Sequence, residues 1–528
     1  MYTISIKDFI SANNLLPQQY ALKNVLSESI FLQIFVDGLS ISRSTKDEAW
    51  IIMLNVRKAS KQRLIPKVVG VHYDKRKPND FNDFLWPLVT ELLELLEDGF
   101  VWNGKVLTIN ILNFVLDSPA RTSCKSVKHI NGYSACDFCL AEGDYIDHRM
   151  AFLDMDAPLR NDRDYRLRKY DDYHKTESVL ELLPIDMVYA FPPDYLHCVL
   201  LGTVHWILKY LSETSKILCV ADHLRINERI AAFRVTQPIE FQRNLRSFIT
   251  NVGFMKGTEF RQYLLFVFPL LLHGIVNEEI VENFIKLQIA SIIYSHQRFE
   301  CFYDEADELM RMFIEEFAEV YHPRHVVYCI HSPCHMKTFV EKFGPWDNFS
   351  TFEYESFNCT IKDMLHGNVM PLTQIANRIV EIYNAPLHNF GLEKGNIEVK
   401  GRLEDGSFST LKYYDLTFKT HKCGQNFVLL KSGIAVKLLS IQHDIFSDDI
   451  KLIGKPFKRR SSAYRSVNTM RFNIFKSEYE FEKPITFEVE EIDGKLWKLD
   501  IESSSKSAYY PLYVEDGKSF SRGHHPEM

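Results

Sequence analysis

A chain of 528 residues is too long for one ordinary core, so roughly two to four domains or a large insertion are expected. Its 46% hydrophobic and 25% charged residues are those of a soluble globular protein, and no apolar run is long and clean enough to span a bilayer. The formal net charge of −7 excludes a uniformly basic nucleic-acid binder, while leaving room for a local basic surface.

The first residues, Met1 to Asp8, lack a basic segment followed by an apolar one, so no secretory signal is expected. Residues 1–28 read as a helical or irregular lead-in. From 29 to 140 the pattern is strand, strand, strand, helix, strand, helix. The strands are Phe31–Asp37, Trp50–Val56 and Ile65–His72, and the next is Val106–Leu116. The helix between them, Phe81–Glu97, carries Phe84, Leu85, Leu88, Leu92, Leu95 and Leu96 as one apolar stripe. Three hairpin-connected strands, a helix and a strand is the ribonuclease H-like order.

Two of these strands end in a carboxylate, at Asp37 and Asp117. Turns favour Asp, so one such residue carries little. Two, at the ends of the best strands, suit a site where neighbouring carboxylates hold divalent cations for phosphoryl transfer.

Residues 141–330 read as an all-α insertion. Helical periodicity marks Asp194–Leu211, Glu259–His273, Val281–Ser295 and Asp304–Val320. The Asp-, Arg- and Tyr-dense stretch Asp154–Lys175 reads as an exposed loop. Residues 331–394 read as closing helices. Residues 395–515, with short Val-, Ile-, Phe- and Tyr-rich runs between Gly and Asp turns, read as a small all-β domain. The tail from 516 to 528 is expected to be disordered.

Of ten cysteines, only Cys136 and Cys139 have C-x-x-C spacing, which suggests metal or redox use over a disulfide scaffold. Two thiolates so spaced form half a tetrahedral zinc site. His331 and His335 offer the other half if their segment is helical, a condition that Pro333 meets only in a first turn. A third acid for the carboxylate site is available in Phe352-Glu353-Tyr354-Glu355, just beyond the histidines.

In order, the chain carries Asp37-Gly38, Asp117-Ser118-Pro119-Ala120-Arg121, Gly132-Tyr133-x-x-Cys136-x-x-Cys139, Asp194-Tyr195-Leu196-His197-x-x-Leu200-x-Gly202, Lys256 to Leu265 and His331-x-x-x-His335. This series resembles the transposase domain of CACTA-type cut-and-paste DNA transposons and, distantly, the catalytic subunit of the V(D)J recombinase. The resemblance covers about residues 30–390. It implies a ribonuclease H-like core interrupted by the helical insertion. It implies a DDE triad at Asp37, Asp117 and Glu355, with Glu353 as the fallback, holding two Mg²⁺ or Mn²⁺ ions. It places structural Zn²⁺ on Cys136, Cys139, His331 and His335. Double-stranded DNA as partner, a homo-oligomer as the active form and a nuclear location follow from the same resemblance.

The chain departs from the family in showing no N-terminal DNA-binding segment, in a histidine spacing of three residues instead of four, and in its acidic charge. These departures keep open an inert, domesticated relative acting as a DNA- or protein-binding scaffold. The family motif at Asp194 and His197 has no derivable role, and a buried pair capping a helix would explain it. The basic run Lys455 to Arg465 reads either as a phosphate-contacting or nuclear-import segment, or as a solvated loop.

Overall fold

The computed structural model describes residues 2–3, 5–7, 29–41, 47–57, 66–102, 104–214, 216–363, 365–366, 369–384, 397–444, 449–501, 504–515 and 518–519. The chain forms two compact units. The first comprises Met1–Thr203, Ile289–His388 and His524–Met528, and the second Val204–Gln288 and Asn389–Gly523. The fold is mixed α/β, with a helical middle region and a C-terminal antiparallel sheet. The stretch expected as one insertion, 141–330, is divided between the units, and its 204–288 portion belongs with the C-terminal sheet.

The first unit is built on strands β1 (Tyr2–Thr3), β2 (Ser29–Ser40), β3 (Glu48–Arg57), β4 (Lys67–Asp74), β5 (Phe100–Trp102) and β6 (Lys105–Val115), in the order β1-β4-β3-β2-β6-β5. β2, β3 and β4 pair antiparallel, and β6 returns parallel to β2. The return is made through the Phe81–Asp98 helix, whose buried face is Phe84, Leu85, Leu88, Val89, Leu92 and Leu95. That helix stops at Gly99, where φ is +71° and a Cβ would lie 2.9 Å from the Leu107 carbonyl oxygen, so only glycine fits. The lead-in contributes β1, which pairs with β4, and the rest of 8–28 lies outside the described residues.

The middle region is helical but not all-α. A hairpin of Asp144–Ile146 and Arg149–Ala151 interrupts it. The expected exposed loop at 154–175 contains the Asp162–Arg166 helix and buries Arg160, Tyr165 and Tyr173. Its charges and rings satisfy one another: the Arg160 guanidinium lies 4.2 Å from the Tyr173 ring centre and 4.6 Å from that of Tyr170. Composition alone reads such a stretch as a solvated face. The expected helices at 194–211 and 259–273 contain π-helical segments, Tyr195–Val204, Tyr210–Thr214 and Tyr263–Val267. Among the described residues, no helix is long and apolar enough to cross a membrane.

The second unit joins the Val220–Thr236 helix and its neighbours to an antiparallel sheet whose core includes Leu411, Phe418, Val428, Val436, Leu438 and Leu452. The basic run from Lys455 lies in this unit with Lys458, Arg459 and Arg465 exposed. Lys458 is 3.8 Å from Glu480, and Arg460 donates to the Gly433 carbonyl. Of the tail expected to be disordered from 516, Lys518–Ser519 instead pair with the Ser507–Glu515 strand, and 516–517 and 520–528 lie outside the described residues.

Trp497 packs between Phe241 and Phe266, and beside it Lys495 and Glu240 form a fully buried ion pair with Nζ 2.9 Å from each carboxylate oxygen. The ammonium also donates to the Thr417 carbonyl and to Gln425 Oε1, so its protons are all used. Truncating Glu240→Ala leaves the ammonium buried without a counter-charge, and the expected cost is about 3–5 kcal/mol. The check is the urea midpoint of the full-length chain. The double replacement Lys495→Met with Glu240→Leu should recover most of the loss.

Candidate metal centres

The register of β2 against β6 positions the first two acids. The parallel pairing ends with Phe35 opposite Val115, and each acid follows two residues later: Asp37 within β2, where it pairs with Ile51 of β3, and Asp117 just past the end of β6. Asp117 also caps the Ser118–Cys124 helix, accepting from the Ala120 N–H at 2.7 Å, and Asp37 accepts from the Gly38 N–H at 2.7 Å.

The third acid arrives on the Phe352–Asp363 helix. A polar layer within the sheet fixes that helix. Gln33 donates to Asn113 Oδ1 and to the Asn348 carbonyl, and it accepts from Tyr354 OH at 2.9 Å. The Tyr354 ring stacks on Phe35 at 4.6 Å. Glu353 is buried on the same face in an ion pair with Arg57 and accepts from Asn55. Phe352 is half-buried, and the buried face of the helix is Glu353, Tyr354, Phe357, Asn358 and Ile361. Glu355, two residues beyond Glu353, points instead to Asp37.

Burial and nearby charge raise all three carboxylates. Burial lifts Asp37 well above the ordinary carboxylate range, and the charges of Glu355 and Asp117 add to it. Burial also raises Asp117, with Asp194 adding and the Ala120 N–H and His197 opposing. Glu355 is raised by burial, with His197 opposing and the charges of Asp194 and Asp117 adding. Asn358 Nδ2 lies 3.5 Å from Asp37 Oδ2, while its own Oδ1 is buried with no hydrogen-bond partner among the described residues. Clustered carboxylates with raised proton affinity fit hard cations, whose charge would relieve the repulsion.

The Asp194-x-x-His197 motif borders this cluster. Asp194 is buried and accepts from the N–H groups of Leu196, His197 and Thr351, from the Thr351 hydroxyl at 2.8 Å and from His197 Nδ1 at 2.6 Å. Burial opposes the charge on His197, but Asp194, Glu355 and Asp117 outweigh it and hold the imidazole up at about 9. The Nε2 atom lies 3.8 Å from Glu355 Oε1. Gly202 ends the motif because a Cβ there would lie 2.8 Å from that of Cys329. So the pair does cap a helical segment, and it also faces the acids, which spacing alone could not reveal.

The second centre is thiolate and imidazole. The ligand atoms of Cys136, Cys139, His331 and His335 all lie within 4.8 Å of one another, and all four residues are buried. Cys136 Sγ is 3.5 Å from His335 Nε2 and Cys139 Sγ is 3.4 Å from His331 Nε2. Zinc bonds of roughly 2.3 Å to sulfur and 2.0–2.1 Å to nitrogen at tetrahedral angles give about 3.6 Å between such atoms. The donor set therefore fits a metal such as zinc. Pro333 falls in the first turn of a 3₁₀ segment, Ser332–His335, where its missing N–H costs nothing. The Cys139 thiol is held below its ordinary value chiefly by a hydrogen bond with Cys136. Among the described residues no other group of three or more His, Cys, Asp or Glu is gathered so tightly, and the acid trio is more open.

A buried charge cluster connects the centres. Asp137, inside the C-x-x-C, lies 2.8 Å from Arg121 Nη2 and 3.8 Å from Lys125 Nζ, and accepts from Tyr173 OH at 2.6 Å and Tyr328 OH at 2.7 Å. Arg121 sits on the helix that Asp117 caps, and its N–H donates to the Asp117 carbonyl. Burial opposes ionisation of Asp137, but Arg121, Lys125 and the two phenols bring its pKa down to about 2. Arg160 donates to the Cys136 and Ser134 carbonyls and braces the same turn. Reading the sequence missed Asp137 and Arg121. The available signal was an acid placed between two buried cysteines.

The model of a domain of unknown function, DUF8592, matches residues 393–512. No curated protein matches the chain. The matched span supplies Lys495, Thr417 and Gln425 of the buried ion-pair cluster, and Glu240 lies outside it.

Metal analysis of the purified chain is expected to give one zinc per molecule. Cys136→Ser should release it and lower the melting temperature, because structural zinc contributes directly to folding. Asp137→Asn should keep the four ligands but leave Arg121 and Lys125 with no buried counter-charge. A loss of about 3–5 kcal/mol is expected, read by denaturant unfolding at constant zinc.

Proposed function

We propose that the protein is a transposon-derived nuclease of the DDE type, cutting and joining phosphodiesters in double-stranded DNA. The observation that carries this reading is the convergence of Asp37, Asp117 and Glu355: one acid in β2, one just past the end of its parallel neighbour β6, each two residues beyond the last paired residues, and a third brought to them by a helix. The sheet order of three antiparallel strands, a helix and a parallel strand supports a ribonuclease H-like core. The series of motifs shared with CACTA-type transposases supports the same reading.

Asp37, Asp117 and Glu355 would hold Mg²⁺ or Mn²⁺, since carboxylates suit hard cations and thiolates do not. Bound there, a pair of such ions supplies the activation of an attacking hydroxyl and the stabilisation of a leaving oxygen that phosphodiester chemistry needs. The protein's own part is placement. The helix cap fixes one Asp117 oxygen, the Gly38 N–H fixes one of Asp37, and the Gln33 and Tyr354 layer aims Glu355. The Cys136, Cys139, His331 and His335 set takes the structural role, as zinc. Action in the nucleus, as a homo-oligomer, belongs to the same reading.

Glu355→Gln should lower Mn²⁺-dependent nicking of plasmid DNA by more than about a hundredfold, since even outer partners of a metal site are worth 10–100-fold. Zinc content and folding should be unchanged. Glu353→Gln should leave nicking by the folded protein intact while lowering stability, because Arg57 loses its partner. No nicking by wild type under any divalent cation would favour the inert scaffold. Loss of nicking through Glu353→Gln, with Glu355→Gln silent, would reassign the third acid.

A further inference from the structure

We propose that His197 is itself a ligand to the cation that Glu355 holds, and that this nitrogen makes the site prefer Mn²⁺ to Mg²⁺. The inference rests on the reading of the acid cluster as a cation site. The imidazole is built for the role. Its Nδ1 is committed to Asp194 at 2.6 Å, so Nε2 is the nitrogen that gives up its proton and offers its lone pair when a cation binds. A carboxylate on one ring nitrogen and a metal on the other is a recurrent arrangement, which fixes both tautomer and ring orientation.

Asp194 is unsuited to be the ligand. It is buried, and its oxygens are taken by the N–H groups of Leu196, His197 and Thr351 and by the Thr351 hydroxyl. Its work is to hold the ring. The ring in turn presents Nε2 to Glu355 Oε1 at 3.8 Å. That is too long for a hydrogen bond. It is a suitable separation for two ligands of one ion, which with bonds of 2.0–2.1 Å lie up to about 4.2 Å apart. Mg²⁺ and Ca²⁺ favour oxygen donors, whereas an imidazole among carboxylates favours a transition ion.

The test uses the full-length protein with zinc in place and Mn²⁺ as the probe, read by electron paramagnetic resonance with detection of ¹⁴N coupling. The expected result is bound Mn²⁺ coupled to one imidazole nitrogen. In His197→Asn the coupling should vanish, with Mn²⁺ affinity down by about tenfold to a hundredfold and Mg²⁺ affinity changed less. His197→Asp should restore affinity through oxygen without restoring the nitrogen signal. Circular dichroism and zinc content verify that each variant is folded. Mn²⁺ that binds wild type without nitrogen coupling, and is lost in Asp37→Asn, would overturn the role of His197 while leaving the acid site standing. Nitrogen coupling that persists in His197→Asn would also overturn it. If wild type binds no Mn²⁺ beyond the zinc site, the acid-site reading fails and this inference with it.

Discussion

The buried carboxylate of Asp137 is the constraint on which the first unit depends. An acid, two cations and two phenols share a space closed to water, and such a group is tolerable only when every member is satisfied. Its consequence is geometric. Asp137 belongs to the cysteine turn, Arg121 and Lys125 follow from the helix that Asp117 caps, and Tyr328 precedes the histidine pair. One cluster therefore ties the thiolate-imidazole centre to the end of β6, where an acid of the other centre stands.

The two centres divide their chemistry by donor type. Sulfur and imidazole sit in full burial, at separations that suit a closed tetrahedral site. The carboxylates are more widely set, with proton affinities raised chiefly by burial and further by neighbouring acids. A closed site suits structure and an open one suits exchange of ligands. The second unit is stabilised by the same principle in another form, a Lys495 ammonium whose protons all find oxygen within an otherwise apolar core.

Much of the first unit was legible in the sequence because its strands and its long helix carry strong periodicity. Asp117 after its strand and the C-x-x-C were visible because each is local, whereas the strand expected to end at Asp37 runs on to Ser40. The stretch at 154–175 was misjudged because the partners that let it be buried lie elsewhere in the chain: Arg160 donates to the Cys136 carbonyl and Tyr173 to Asp137. The Asp144–Ala151 hairpin was missed because three-residue strands give too short a pattern.

Sequence by itself determined the elements, the candidate ligands and the cysteine spacing, since these depend on neighbours along the chain. Tertiary structure alone decided that the histidine pair meets the cysteines. It alone brought Arg57 of β3 to Glu353, an ion pair that nothing along the chain announces. It alone turned the Asp194 and His197 motif toward the acids. In each case the deciding partner lies far away in sequence, and burial makes the pairing obligatory: a charge or polar group removed from water must find its partner wherever the fold supplies one.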